Sequence, residues 1–367
     1  MSSVRQRGAR SVALLGRDRS STNMLLRSMQ YVCGVGEVEC LSATHGIQVS
    51  NIPFMEEDFC ILDYGGIDVE LSTLSSVISG VDGAIVLCDP DLGDVDQVEP
   101  YLKLLAQLQI PTFLFVDKID QLGGSVHDLF RRLEEASLRD LLLRQIPILE
   151  KEEITGYVDL ASERAFLYQE GEATEVIELP PEAAEQKGIM RIALLEVLAD
   201  YDDALMEDIM DDVMPVNDAV FTLLKKDVVR GKLVPVFLGV AEKKFGLRRL
   251  LKALRHEVPE NEGTIRQRHI LAPANACVSQ VLATGCVLGD LRMQALRIWS
   301  GEMEAGMTLR QGGCEQMYKF SGAEIVTAHS GEAGEVVLIP EMVGVSFGDF
   351  VTDESVTLPH LVSLTET

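Results

Sequence analysis

The chain has 367 residues, 47% hydrophobic and 25% charged, and a formal net charge of −26 at pH 7. That length suggests two or three domains with real cores. No run of about 18 apolar residues without charge reads as a membrane span, and so acidic a surface cannot replace phosphate counterions, which argues against DNA, RNA and anionic lipid as ligands. The seven cysteines, at 33, 40, 60, 88, 277, 286 and 314, form no CxxC pair and no metal spacing. Their odd number argues against a closed disulfide set, so buried, reduced thiols and no metal are expected. The basic start of the chain leads into a short apolar run without a signal-peptide pattern, which makes the cytoplasm the expected compartment.

In chain order, residues 12–15 read as a first strand, 16–23 as a turn, and 24–31 have helical spacing. Residues 59–62 read as a strand ending at Asp63, 83–88 as a buried strand, 98–109 as a helix, and 112–116 as a strand ending at Asp117. Strands alternating with helices imply parallel βαβ units with helices on both faces, and such sheets bind ligands at the carboxyl ends of their strands. From about 148 to 225 the pattern changes. Residues 155–160 and 164–168 read as a hairpin, and Pro180-Pro181 opens one long helix through Ile192, Leu195, Leu198 and Leu205. Residues 150–212 hold 19 acidic and 4 basic residues, more than half of the net charge. Residues 234–239 restore the buried-strand signature, 247–254 close the unit with a helix, and 259–268 read as a polar linker. From 269 to 363 short β-prone segments are broken by glycines, as in a small β-barrel. The expected fold is α/β: a doubly wound sheet over residues 1–262, with an acidic insertion at about 148–225, followed by a β-barrel over 269–363.

Two four-residue runs stand at the predicted strand ends, Asp63-Tyr64-Gly65-Gly66 and Asp117-Lys118-Ile119-Asp120. Between Gly16 and Asn23 the run is Gly-Arg-Asp-Arg-Ser-Ser-Thr-Asn. With Val81-Asp82-Gly83-Ala84, Thr155-Gly156-Tyr157-Val158-Asp159-Leu160, Gly239-Val240-Ala241 and Leu296-Arg297-Ile298-Trp299-Ser300-Gly301, this ordered set resembles the first two domains of bacterial elongation factor G. The resemblance implies a P-loop-GTPase-like domain, a translation-factor-type barrel, and association with the ribosome.

The same resemblance marks where the chemistry departs. A phosphate loop needs a glycine, a lysine and a magnesium-binding hydroxyl; Ser21, Thr22 and Asn23 stand in those places. Asp18 adds negative charge beside the expected phosphates, with Arg17 and Arg19 as compensating charges. The plainer reading is a strand-to-helix turn capped by Ser21 or Thr22. Asp63 and Gly66 are kept, but Ile67 replaces the water-positioning histidine, and Gln48 the threonine of the first switch. On the base side, Asp120 keeps its acceptor and Lys118 its stem, Asp117 replaces asparagine, and the Ala241 N–H remains for the guanine carbonyl. The resulting expectation is a pseudo-GTPase that binds or regulates without hydrolysis and needs no cofactor. The alternatives are a GTP-binding translation factor with weak or no turnover, taking GTP or GDP with magnesium, and an oligomeric scaffold. Asp202, Asp203, Asp211 and Asp212, expected on one helical stretch, are the candidate contacts for a basic protein partner.

Overall fold

The computed structural model describes residues 10–36, 40–67, 70–90, 92–150, 153–169, 174–268, 270 and 276–353. The outer ends of the 269–363 reading, and residues 151–152 and 170–173 of the acidic insertion, lie outside them. The chain divides into two compact units, one built from residues 1–23, 33–84 and 259–367, the other from 24–32 and 85–258.

In the first unit, strand Arg10–Leu15 runs parallel to strand Glu57–Asp63, which pairs antiparallel with Gln48–Phe54, and that in turn with Leu41–Ser42. Arg10–Leu15 is buried throughout, and residues 12–15 form the continuous apolar run of a strand covered on both faces. The register sets Gln48 opposite Asp63.

The C-terminal part of this unit is an antiparallel β structure. Its main sheet orders the strands Glu324–Ala328, Met317–Ser321, Val336–Pro340, Leu291–Ser300, Val278–Leu288 and Phe350–Thr352. Pairs Glu302–Glu304 with Ser330–Glu332, and Thr308–Leu309 with Gly312–Gly313, complete it. Leu296, Ile298, Met303, Met317, Val337 and Ile339 lie in its core.

This β structure is joined to residues 79–82 through buried polar contacts. Arg297, with no exposure, pairs with Asp82 at 2.6 Å, donates to the Gly80 carbonyl at 3.0 Å, and lies 3.9 Å from the Trp299 ring centroid. Residues 259–268 are not a linker but contain helix Asn261–Gln267. Thr264 donates to Asp82, Arg268 donates to the carbonyls of Ser79 and Val81, and Ile265 packs toward Trp299. A polar segment reads as a linker until its polar groups find buried partners.

In the second unit, which strand Gly83–Cys88 enters at residue 85, the consecutive strands continue as Thr112–Val116, Leu233–Leu238 and Asp140–Leu143, with Leu233–Leu238 parallel to both of its neighbours. Helices Leu92–Gln107, Val126–Ala136 and Leu247–Glu257 connect and close them. A separate antiparallel sheet orders Glu175–Ile177, Arg164–Leu167, Glu153–Asp159 and Gln145–Glu150. The hairpin read at 155–168 is present, while the added sheet already begins at Gln145.

The long acidic helix is a correction. Helix Pro181–Ala199 stops, and a second, Asp203–Met210, starts with Asp202 as N-cap. The first helix ends with Asp200 as its C-cap, and the Asp202 carboxylate starts the second by accepting the Leu205 N–H while pairing with Lys226 at 2.8 Å. Asp211 is the C-cap, and Asp212 has a positive φ of 56°, so the four aspartates do not share one helix.

Candidate functional site

The phosphate-side residues lie in the first unit. Strand Arg10–Leu15 ends at Leu15, Gly16 is buried, and helix Arg19–Val32 starts three residues later. Asp18 is the residue that caps it: its carboxylate accepts the Ser21 N–H at 2.9 Å and the Ser21 hydroxyl at 3.1 Å. The cap expected from Ser21 or Thr22 is therefore corrected to Asp18. Burial raises the Asp18 pKa, but the Ser21 amide, the Ser21 hydroxyl and the Ser20 amide outweigh it and hold the carboxyl below its ordinary value. The early helix start coils residues 19–21, and the Thr22 N–H already bonds the Asp18 carbonyl at 3.3 Å.

Thr22, fully buried, donates its hydroxyl to Asp63 at 3.1 Å. It lies directly beneath the Gly65-Gly66 turn: a Cβ on Gly65 would stand 2.1 Å from Thr22 Oγ1. Gly66 has φ +61°, a Cβ there would meet the Arg19 backbone nitrogen at 2.8 Å, and its N–H is given to the Gly16 carbonyl at 3.3 Å. Asn23 is half-buried on the same helix, and Ile67 follows the turn with its N–H on the Tyr64 carbonyl.

Arg19 joins these pieces. Its guanidinium is 3.0 Å from Asp63 Oδ2, donates to the Asp63 carbonyl at 3.1 Å, and donates to the Gly46 carbonyl in the turn Thr44–Gly46. Asp63 has no exposure and also accepts the Gly65 N–H at 2.8 Å. Burial pushes its pKa above the ordinary carboxylate value, against the opposing pull of the Gly65 amide, Arg19 and Thr22. The amides of Ser21, Thr22, Gly65 and Gly66 and the Arg19 guanidinium are thus all bonded within the protein. In this arrangement the residues do not fit a magnesium-bound triphosphate: position 22 supplies no cation, position 23 supplies an amide, and Asp63 is held by Arg19.

The base-side residues lie in the second unit. Strand Thr112–Val116 delivers Asp117, which is buried. Asp117 Oδ1 accepts the Ala241 N–H at 2.6 Å and the Lys118 N–H at 2.8 Å. Burial raises its pKa, the two amides lower it, and neighbouring Asp89 adds to the rise. Lys118 has the left-handed backbone conformation, φ 51°, and its ammonium is 2.5 Å from Asp89. Asp120 pairs with Lys243 at 2.7 Å. The Ala241 N–H, expected to face a guanine carbonyl, is already donated to Asp117. A negatively charged residue in place of asparagine recruits the nearest amides to itself.

Arg19 and Asp18 are the residues whose roles sequence reasoning missed. An aspartate three positions before a serine at a helix start was the available signal for Asp18. The partners of Arg19, 27 and 44 residues away, left no local signal. Of the seven cysteines, Cys60, Cys88, Cys277, Cys286 and Cys314 are buried and Cys40 is exposed. Burial pushes Cys60 up to about 12. No group of metal-binding side chains occurs among the described residues, and none of their helices is long and apolar enough to cross a membrane.

Comparison with known proteins adds the family. The elongation factor Tu GTP binding domain matches residues 42–260, a span that begins after the Gly16–Asn23 turn. The elongation factor G-like protein of Synechocystis sp. (strain ATCC 27184 / PCC 6803 / Kazusa) is 28% identical over 358 residues, covering 92% of this chain and 53% of that protein. A crystal structure from Thermus thermophilus is similar with a TM-score of 0.76 at 22% identity, over 94% of this chain and 54% of that one, a likeness of fold. The chain spans about half the length of both.

Proposed function

The chain belongs to the translational GTPase family marked by the elongation factor Tu GTP binding domain, and from that premise we propose that it is a pseudo-GTPase, a binding or regulatory module without GTP hydrolysis. The observation that carries this reading is Arg19. It supplies from within the chain the positive charge that balances Asp63, and it ties Gly46 and Asp63 to the turn where a phosphate loop stands in the family. Phosphoryl transfer depends on positioned charges, and each missing contact of that kind costs about 10²–10³ in rate. With lysine, magnesium hydroxyl and positioning residue replaced, hydrolysis falls to background.

Calorimetric titration with GTP and GDP, with and without magnesium, tests this reading. Millimolar affinity or none is expected for both nucleotides at residues 16–23 and 117–120; a micromolar dissociation constant that Asp120→Ala abolishes overturns the proposal. It would favour the second reading, a GTP-binding factor without turnover, which rests on Asp120 and Lys118 at the carboxyl end of strand Thr112–Val116.

Ribosome association is proposed from the family alone. The proposed protein partner is basic and contacts the acidic helical segment through Asp203, Asp211 and Asp212, because opposite charge steers encounter. Asp202 serves the helix cap and Lys226 instead. A pull-down with Asp203, Asp211 and Asp212 changed to asparagine is expected to lose salt-sensitive partners; identical recovery from both proteins refutes this surface.

A further inference from the structure

We propose that the second unit carries a binding site for a nucleoside diphosphate, in a cleft between the added sheet and helices Asn217–Val229 and Leu247–Glu257. This goes beyond the pseudo-GTPase reading and does not rest on it. The cleft has a volume of about 870 Å³, within the usual range of small-ligand sites.

Its charge is the reverse of the chain's. Arg164, Lys225, Arg248, Arg249 and Lys252 line it, against the carboxylates of Asp159, Asp218 and Glu257, in a protein of net charge −26. Two of those carboxylates are already balanced. Asp159 pairs with Arg249, and Glu257 receives both bonds of the fully buried Arg144 at 3.0 Å. Arg164, Lys225, Arg248 and Lys252 then have no ion-pair partner among the described residues. Arg248 Nε and Arg249 Nη2 are buried without a hydrogen-bond acceptor. Buried donors are normally satisfied, so two guanidinium nitrogens left open beside one cleft point to an anionic occupant.

The rest of the lining explains why that anion carries a ring. Phe166 and Phe221, both half-buried, face the same cleft from the sheet and from the first helix. Phe166 is held in place by stacking on Tyr157 at 5.1 Å, and the Arg249 guanidinium lies 5.9 Å from the Phe221 ring centroid. An aromatic wall beside a cationic wall matches a planar base joined to two or more phosphate charges. Arg248 and Lys252, four residues apart, share one face of their helix and suit a diphosphate.

The probe is ADP, whose adenine lacks the N–H donors that an aspartate at position 120 would accept from guanine, titrated calorimetrically beside pyrophosphate and adenosine. Saturable one-to-one ADP binding, independent of magnesium and weakened by salt, is expected. The Arg248→Ser/Lys252→Ser variant is expected to bind ADP about 10- to 100-fold more weakly. Phe221→Leu is expected to weaken ADP while leaving pyrophosphate unchanged. Hydrogen exchange on the unaltered protein is expected to slow in residues 217–229 and 247–257 when ADP is added, a readout that needs no variant. Absence of saturation at about 1 mM ADP, unchanged affinity in the double variant, or loss of ADP binding in Asp120→Ala with the double variant unaffected each overturns the proposal.

Discussion

Replacing Arg19 by alanine isolates the contact on which the functional reading rests. The substitution removes an ion pair to Asp63 at 3.0 Å, a bond to the Asp63 carbonyl at 3.1 Å and a bond to the Gly46 carbonyl. Asp63 is wholly buried and keeps the Gly65 N–H and the Thr22 hydroxyl. Breaking a buried ion pair from one side costs about 3–5 kcal/mol. The Arg19 side chain is 27% exposed, so water recovers part of that loss, and about 2–3 kcal/mol is expected, a fall in Tm of roughly 5 °C. The pH dependence follows from the sign of the shift. Burial already raises the Asp63 pKa above its unfolded value, so this group favours folding at low pH and costs stability as pH climbs through its folded pKa. Removing Arg19 raises that pKa further. The deficit of Arg19→Ala is therefore larger at neutral pH than at acidic pH, where Asp63 takes up a proton. Thermal melts of the wild type, Arg19→Ala, Asp63→Asn and the double variant measure this. The double variant should lose less than the sum of the two single losses by about 1 kcal/mol or more. Additive losses, or a deficit of equal size at both pH values, refute the argument.

Asp227→Asn should raise Tm at neutral to alkaline pH, because both Asp227 carboxylate oxygens are buried without a hydrogen-bond partner and burial raises its pKa, despite Lys226, Lys232 and Arg230; melts should show the gain fading on acidification, as the wild-type carboxyl becomes neutral. Gly65→Ala should cost about 1–3 kcal/mol in urea denaturation, since its Cβ would stand 2.1 Å from Thr22 Oγ1 and 2.5 Å from Thr22 Cγ2. The combined change Ser21→Gly, Thr22→Lys and Asn23→Thr should lower stability without bringing GTP affinity into the micromolar range. Position 22 is fully buried against Gly65, and Asp18 and Arg19 still hold the turn closed; calorimetry on the triple variant checks it, and micromolar binding would contradict it.

The sequence by itself determined the elements whose signal is local. Gly83–Cys88 and Thr112–Val116 were legible to the residue, because strands covered on both faces are unbroken apolar runs. Asp63 and Asp117 at strand ends were legible for the same reason, and the antiparallel pairing of Glu153–Asp159 with Arg164–Leu167 from two β-prone runs separated by a short turn. Strand Gln48–Phe54 was not. Its Gln-Val-Ser-Asn-Ile-Pro-Phe has no clean period, and it becomes a strand by pairing with Glu57–Asp63. Asp82 and Arg297 were each visible in a conspicuous run, but only the folded chain brings them to 2.6 Å across 215 residues. The candidate site divides along the same line. The order of residues 21–23, Ser-Thr-Asn, set against the resemblance, implied that the lysine and the magnesium-binding hydroxyl are replaced. That Asp18 takes the helix cap, that Arg19 takes Asp63 and Gly46, and that Asp117 takes the Ala241 amide were decided by tertiary structure. Hydrophobic periodicity acts over a few residues, whereas a buried charge is satisfied by whatever donor the fold returns to it, however distant in the chain.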